Sequence, residues 1–279
     1  MALGVAASRG WVLDRIFGRS KAAIGVVHCR AFPGAPHHRG EGVAEIVEAA
    51  LADAAAYAEG GIDGLIIENH GDIPFLRPRD IGPETAAIMA VITERVRRET
   101  GLPLGINVLA NAAVMALAVA KAGGASFIRV NQWANAYVAN EGLIEGDAAL
   151  ALRYRARIDA GDVAVFADSH VKHGAHAITA DRTLAELTRD LEFFDADAII
   201  ATGQRTGDAA TAEDVRVVKA ATTLPVLVGS GVRADNLAEI MAAADGVIVG
   251  SSLKHGGVWW EPVERQRVSA FMRSFREAV

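Results

Sequence analysis

Residues 224–257 read LPVLVGSGVRADNLAEIMAAADGVIVGSSLKHGG, and the fold is decided by how this stretch is divided. Two short apolar runs, LPVLVG (224–229) and DGVIVG (245–250), flank one helical pattern. Each run is nearly continuous in Val, Leu and Ile, which suits a parallel strand covered on both faces. Both end in glycine followed by serine. A strand–helix–strand unit of this kind is the building block of parallel α/β folds.

Working outward, six more runs of the same character precede it: AAIGVVH (22–28), DGLIIEN (63–69), LGINVL (104–109), SFIRVN (126–131), VAVFADSH (163–170) and DAIIATG (197–203). Helical stretches such as EGVAEIVEAALADAAAYAEG (41–60) and GPETAAIMAVITERVRRETG (82–101) lie between them, with apolar residues three and four apart and glycine at the end. Eight strand–helix repeats over about 250 residues predict a single α/β (β/α)8 TIM barrel. A doubly wound open sheet shares the local pattern, but no strong GxGxxG follows the first strand. No composition break divides the chain, so residues 21–279 are expected to form one barrel domain. Residues 1–20 read as an N-terminal extension, in which Trp11, Val12, Ile16 and Phe17 predict a short amphipathic helix plugging the core.

Composition narrows the class. The chain has 279 residues, with 28 Lys+Arg against 34 Asp+Glu and a net charge of −6, which argues against a nucleic-acid polymer as partner. Hydrophobic residues make up 51% and charged residues 22%, as in globular proteins. No run is long enough for a membrane span, and Arg9, Asp14 and Arg15 interrupt any signal-like start, so a soluble cytoplasmic protein is expected. The single cysteine, Cys29, excludes a disulfide framework and a multi-Cys zinc site, and reads as a small buried hydrophobe.

Barrel enzymes carry their chemistry at the C-terminal ends of the strands. All eight histidines fall there in this chain. Glu68, Asn69 and Asp72 stand at or beyond the end of the second strand, Asn107 in the third, and Arg129 and Asn131 at the end of the fourth. The fifth ends in DSHVKH, which supplies Asp168, His170, Lys172 and His173. Buried charges need partners, so Glu68, Arg129 and Asp168 are expected to meet one another or a ligand. Asp168 and His170 share a parity, which would let the carboxylate orient the imidazole for acid–base work. The turns Gly229-Ser230-Gly231 and Gly250-Ser251-Ser252 suit a phosphate, with a helix opening behind the first and Lys254 adding charge. Trp259 and Trp260 follow as a lid, a subunit contact or a rim cover.

These motifs in this order resemble the BtpA/SgcQ family, and the match runs from about Phe17 to the C-terminus. The carrying stretches are IGVVH…FPGAP, GIDGLIIENHGDIPF, PLGINVL, FIRVNQWANAYVANEGLIEGDAA, VFADSHVKHGAH, TGQRTGD, PVLVGSGV and DGVIVGSSLKHGG. The resemblance implies a TIM barrel. It also implies a functional weight on His28, Glu68, Asn69, Asp72, Asn107, Arg129, Asn131, Asp168, His170, Lys172 and His173. Family members carry the label of a photosystem I biogenesis factor or sit in a sugar-utilisation gene cluster. Departures touch two loops over the cleft: Cys29-Arg30-Ala31 replaces a proline-rich segment, and Ala110 and Ala112 stand where charges are common.

The leading expectation is an enzyme acting on a small phosphorylated compound, a sugar phosphate or nucleoside-derived phosphate, by isomerisation, lyase-type cleavage or glycosidic-bond cleavage. Glu68, Asp168, His170 and Lys172 are the catalytic candidates. His28, Asn69, Asp72, Asn107, Arg129, Asn131 and His173 are the substrate-binding ones. No cofactor is expected, with a divalent metal at His28, Glu68, Asp168 and His170 as the open alternative. The competing classes are a non-catalytic assembly factor and a metal-dependent hydrolase. A homo-oligomer is the default for such barrels.

Overall fold

The computed structural model describes residues 11–171, 174–203 and 210–279. Eight parallel strands close into a barrel: β1 (Ala22–His28), β2 (Gly64–Glu68), β3 (Leu104–Asn107), β4 (Phe127–Val130), β7 (Ala164–Asp168), β8 (Ala198–Thr202), β9 (Val226–Gly229) and β10 (Gly246–Val249). All eight coincide with the apolar runs read from the sequence. The helices α2 (Val43–Gly60) and α3 (Pro83–Thr100) lie where the periodicity places them. Each is closed by a left-handed glycine, Gly61 at φ 86° and Gly101 at φ 66°.

Alternation along the strands sorts two cores. Leu65 and Ile67 face the helices, whereas Ile24, Val26, Ile66, Phe127, Phe166, Ile200, Leu227 and Ile248 fill the barrel. Phe127 stacks on Phe166 with ring centroids 4.5 Å apart, and the neighbouring strand must make room for it. A Cβ on Gly105 would stand 2.2 Å from the Phe127 ring, so only glycine fits there. The bottom is closed by α1 (Trp11–Phe17), whose Val12, Leu13 and Phe17 join the interior core. Phe17 meets Phe127 edge-on at 5.9 Å.

One element departs from the simple repeat. After β4 the chain makes an antiparallel hairpin of β5 (Ala136–Ala139) and β6 (Gly142–Glu145) before α5 (Ala148–Arg157). Tyr137 and Ile144 pack on Val171, and Val138 bridges Ala175, so the hairpin is pinned over the β7 end of the mouth. No helix among the described residues is long and apolar enough to cross a membrane.

Candidate functional site

The strand parity that buries Ile24, Val26 and Ile66 turns polar at the top of the barrel. Register places His28 beside Glu68 and Glu68 beside Asn107. Arg129 continues the parity of Phe127, and Asp168 that of Phe166. A polar layer therefore caps the apolar interior, and it divides into two halves around its two carboxylates.

Asp168 is held on both oxygens by its neighbours. Arg129 donates from Nε to Oδ1 and from Nη2 to Oδ2, both at 3.0 Å, and Asn131 Nδ2 adds a third bond at 3.2 Å. Burial disfavours the guanidinium charge, but the adjacent Asp168 carboxylate outweighs it and raises the Arg129 pKa. This overturns the expectation that Asp168 orients His170. After Asp168 the chain leaves the strand, the His170 carbonyl accepts from Thr202 Oγ1 at 2.6 Å, and the imidazole tilts onto His176, 3.9 Å away. Burial lowers the His170 pKa, with His176 adding to the effect. Lys172 and His173 lie outside the described residues.

Glu68 is held differently. Asn107 Nδ2 donates to Oε2 at 2.7 Å, and His70 Nδ1–H donates to Oε1 at 2.8 Å. His28 Nε2 stands 3.8 Å from the same Oε1, while its Nδ1–H donates to the Trp259 carbonyl at 3.2 Å. Burial pushes the Glu68 carboxyl upward, but the hydrogen bond from His70 and the Arg129 guanidinium outweigh it and hold it below the usual carboxylate range. Burial lowers the His28 pKa to about 3, more than Glu68 raises it, so the ring is neutral near pH 7. Trp259 covers both imidazoles, with ring centroids 4.4 Å from His70 and 5.9 Å from His28.

The acid–imidazole pair thus forms on β2, from Glu-Asn-His (68–70), and not on β7, from Asp-Ser-His (168–170). The two share one spacing. What separates them is the chain beyond: a 3-10 turn at His70–Asp72 folds His70 back over Glu68. Sequence reasoning puts His70 on the mouth face with the other histidines but not among the candidate site residues, and the Glu-Asn-His spacing is the signal that singles it out. The four-ligand set His28, Glu68, Asp168 and His170 is likewise corrected. Among the described residues the ligand atoms that gather, within 4.8 Å of one another, are those of His28, Glu68 and His70.

Two expected binding residues are braces. Asn69 accepts from Leu109 N at 2.7 Å and donates to Leu109 O at 3.1 Å and to Asp72 Oδ2 at 3.0 Å. Asp72 also accepts from Phe32 N at 2.8 Å, which ties the loop after β1 to the end of β2. Burial raises its pKa. Lys254 adds no charge to a phosphate turn: it is buried, donating to Asp53 Oδ2 at 2.8 Å and Glu261 O at 3.1 Å. Cys29 is buried too, and burial pushes its thiol pKa up.

A cavity of about 610 Å³ opens over this layer, lined by His28, Glu68, His70 and Arg129. Ser230, Gly231, Gly250, Ser251 and Ser252 line the same cavity. Gly229 lies beneath, buried at the end of β9. The first turn runs through positive φ at Ser230 (71°) and Gly231 (63°). Helix α8 (Leu237–Met241) begins only after Asn236, so no helix start stands directly behind GSGV, contrary to the sequence expectation. Ser252 Oγ donates to Val232 O at 2.9 Å and joins the two turns. Gly250 brings the second turn onto the triad, because a Cβ there would stand 3.0 Å from His28 Cε1.

Comparison with known proteins agrees with this architecture. The model of the BtpA family matches residues 19–277. A protein of Archaeoglobus fulgidus is 43% identical over 91% of this chain and 98% of its own length. The photosystem I biogenesis protein BtpA of Synechocystis is 40% identical over 96% of this chain and 92% of its own. Among solved structures, (S)-3-O-geranylgeranylglyceryl phosphate synthase from Thermoplasma acidophilum superposes with a TM-score of 0.60, 15% identity, and coverage of 97% of this chain and 99% of that one. Thiamine phosphate pyrophosphorylase from Pyrococcus furiosus gives a TM-score of 0.56 at 17% identity, over 93% and 98% of the two chains. At those identities the likeness is one of fold. The relatives and the family model carry the assignment: the chain is a TIM barrel and belongs to the BtpA family.

Proposed function

We propose that this chain is an enzyme acting on a small phosphorylated compound, a sugar phosphate or a nucleoside-derived phosphate. Its phosphate sits on the turns at 230–232 and 250–252, and its reacting atoms lie against Glu68, His70 and His28. One observation carries the reading: a single cavity is lined by both sets of residues. The turns offer backbone N–H groups and serine hydroxyls, which suit phosphate oxygens. The acid–imidazole group beside them offers a proton-active centre. Glu68 fixes the Nδ1–H tautomer of His70, which leaves Nε2 with the lone pair that accepts a proton. Isomerisation, lyase-type cleavage and glycosidic-bond cleavage all require such a transfer. Arg129 and Asp168 brace the wall.

Thermal unfolding against phosphorylated sugars and nucleotides, each beside its unphosphorylated counterpart, tests the phosphate half. A ligand at about a hundred times its Kd adds about 2.7 kcal/mol and raises Tm by several degrees. The shift is expected only with the phosphorylated member and is lost in Ser251→Leu. No shift across the panel, or equal shifts within pairs, overturns it. Turnover of a hit is expected to vanish in Glu68→Gln. A hit that binds without turnover instead favours the second reading, an assembly factor, which draws on the name of the 40% identical Synechocystis relative, a photosystem I biogenesis protein.

A further inference from the structure

We propose that His28, Glu68 and His70 form a binding site for one divalent first-row transition cation of the Mn2+–Zn2+ series, capped by Trp259. The proposal does not rest on the phosphate turns, because it uses the donor set alone; it shares His28, Glu68 and His70 with the proposed function and gives the proton-active role there to cation-bound water in place of His70.

Two imidazoles and one carboxylate are nitrogen and oxygen donors of the kind these cations take. The Glu68 Oε1 atom is 2.8 Å from His70 Nδ1 and 3.8 Å from His28 Nε2, and the three ligand atoms lie within 4.8 Å of one another. Bond lengths of about 2.0–2.2 Å to nitrogen and oxygen put neighbouring ligands about 3–3.5 Å apart, so small side-chain rotations suffice. The supporting contacts are already made. His28 spends Nδ1–H on the Trp259 carbonyl, which leaves the Nε2 lone pair on the Glu68 side. Asn107 holds Oε2, so Oε1 is the oxygen presented to the imidazoles. Such outer contacts fix tautomer and ring orientation at metal centres.

Charge and access agree. Among the described residues the nearby cations are Arg129, bound twice to Asp168, and Lys254, bound to Asp53, so each is matched by its own carboxylate and Glu68 keeps its negative charge. The cavity supplies the open coordination positions that a water or a substrate oxygen would occupy. The cation would take the place of the hydrogen bond between His70 and Glu68, and water on its open face would become the proton-active group. Asp168 and His170 are absent from the site, which distinguishes it from the set expected from sequence.

The test is titration of the metal-free protein with Co2+ alone, read by visible d–d absorption, and with Zn2+ alone, read by histidine ring nitrogen NMR. One equivalent of Co2+ per chain is expected. His28→Ala, His70→Gln and Glu68→Gln, each checked for native circular dichroism, are expected to weaken it about 100-fold or more, since even outer-contact losses cost 10–100-fold. His37→Ala/His255→Ala, which removes two exposed imidazoles, is expected to leave it unchanged. In the unsubstituted protein, the rings of His28 and His70 are expected to shift on Zn2+ and the other six histidines to stay put. Absence of saturable binding, binding that survives the three variants, or shifts confined to other histidines overturns the proposal. The phosphate panel run in chelator separates this failure from that of the proposed function.

Discussion

Substituting Asp168→Asn probes the polar layer, because it keeps the side-chain shape and removes one charge. In the native protein Arg129 places Nε and Nη2 on two carboxylate oxygens at 3.0 Å each, and the side chains are 7% and 0% exposed. The variant leaves the guanidinium buried beside a neutral amide whose NH2 group faces one of its donors. Breaking a buried pair by neutralising one partner costs about 3–5 kcal/mol, chiefly through the uncompensated charge. For a chain of this length each kcal/mol moves Tm by about 2 °C, so a fall of about 6–10 °C is expected. Equilibrium unfolding in urea, followed by far-UV circular dichroism, should show a lower midpoint at an unchanged m-value. The decisive arm is Arg129→Met/Asp168→Leu. Removing both charges leaves Asn131 Nδ2 without its acceptor and withdraws the guanidinium from Glu68, but strands neither member of the pair, so it should cost only about 1–2 kcal/mol. Loss of less than about 1 kcal/mol in Asp168→Asn, or a double variant as poor as the sum of the single ones, would refute the account of Arg129 and Asp168 as a closed, mutually dependent pair.

Other perturbations read other parts of the molecule. Gly105→Ala puts a Cβ 2.2 Å from the Phe127 ring and should destabilise the barrel by about 1–3 kcal/mol or more, measured by the same denaturation. The burial of His28 has a pH signature. Its folded-state pKa is depressed from 6.5 to about 3, so its contribution is present above the unfolded value and is lost as pH falls from about 6.5 towards 3. One proton taken up on unfolding gives a slope of about 1.4 kcal/mol per pH unit. The lowered Glu68 pKa adds loss in the same direction below about 4.5. In chelator, His28→Asn should flatten the stability profile between pH 6 and 4.5, and an unaltered slope would count against a neutral buried imidazole.

The barrel strands were legible because each is a continuous apolar run covered on both faces, and nothing else in the chain imitates eight of them. The hairpin β5–β6 was not. Its signal is a short alternation, with Tyr137 and Ile144 inward and Val138 and Leu143 exposed, set in a stretch of Asn, Ala and Gly that reads equally as loop. Which residues crown the barrel was legible from polar side chains at strand ends. Which of them pair was not. ENH and DSH offer the same acid–x–His spacing, and the choice depends on a 3-10 turn and on an arginine 39 residues away in sequence. Lys254 misled for a related reason, since its partner Asp53 lies 201 residues away on α2. Nearby sequence does not reveal a partner brought in by barrel closure.

The cations around the cavity decide how the two proposals bear on each other. Among its described lining residues the basic side chains are Arg129, Arg233 and Arg267, besides the histidines. Each is bound to a carboxylate: Arg129 to Asp168, Arg233 to Asp235 at 3.1 Å, and Arg267 to Glu264 at 2.6 Å. A phosphate on the turns would therefore share the cavity with Glu68, facing backbone N–H groups, hydroxyls and the exposed Arg233 and Arg267, whose charge their surface carboxylate partners offset. Like charges in one partly dry space repel, and the repulsion rises as water is excluded. A divalent cation on His28, Glu68 and His70 reverses that sign, because it offsets Glu68 and leaves positive charge facing the phosphate. Binding of the two must then be mutually favourable, by the same factor in each direction. A coupling of about 1–3 kcal/mol corresponds to about 5–150-fold tighter phosphate binding with Co2+ present than in chelator, and equally tighter Co2+ binding with the phosphorylated ligand present. Calorimetric titration in both orders measures it. Equal affinities in the presence and absence of the cation would mean that the two sites, even if both are real, do not share one electrostatic field.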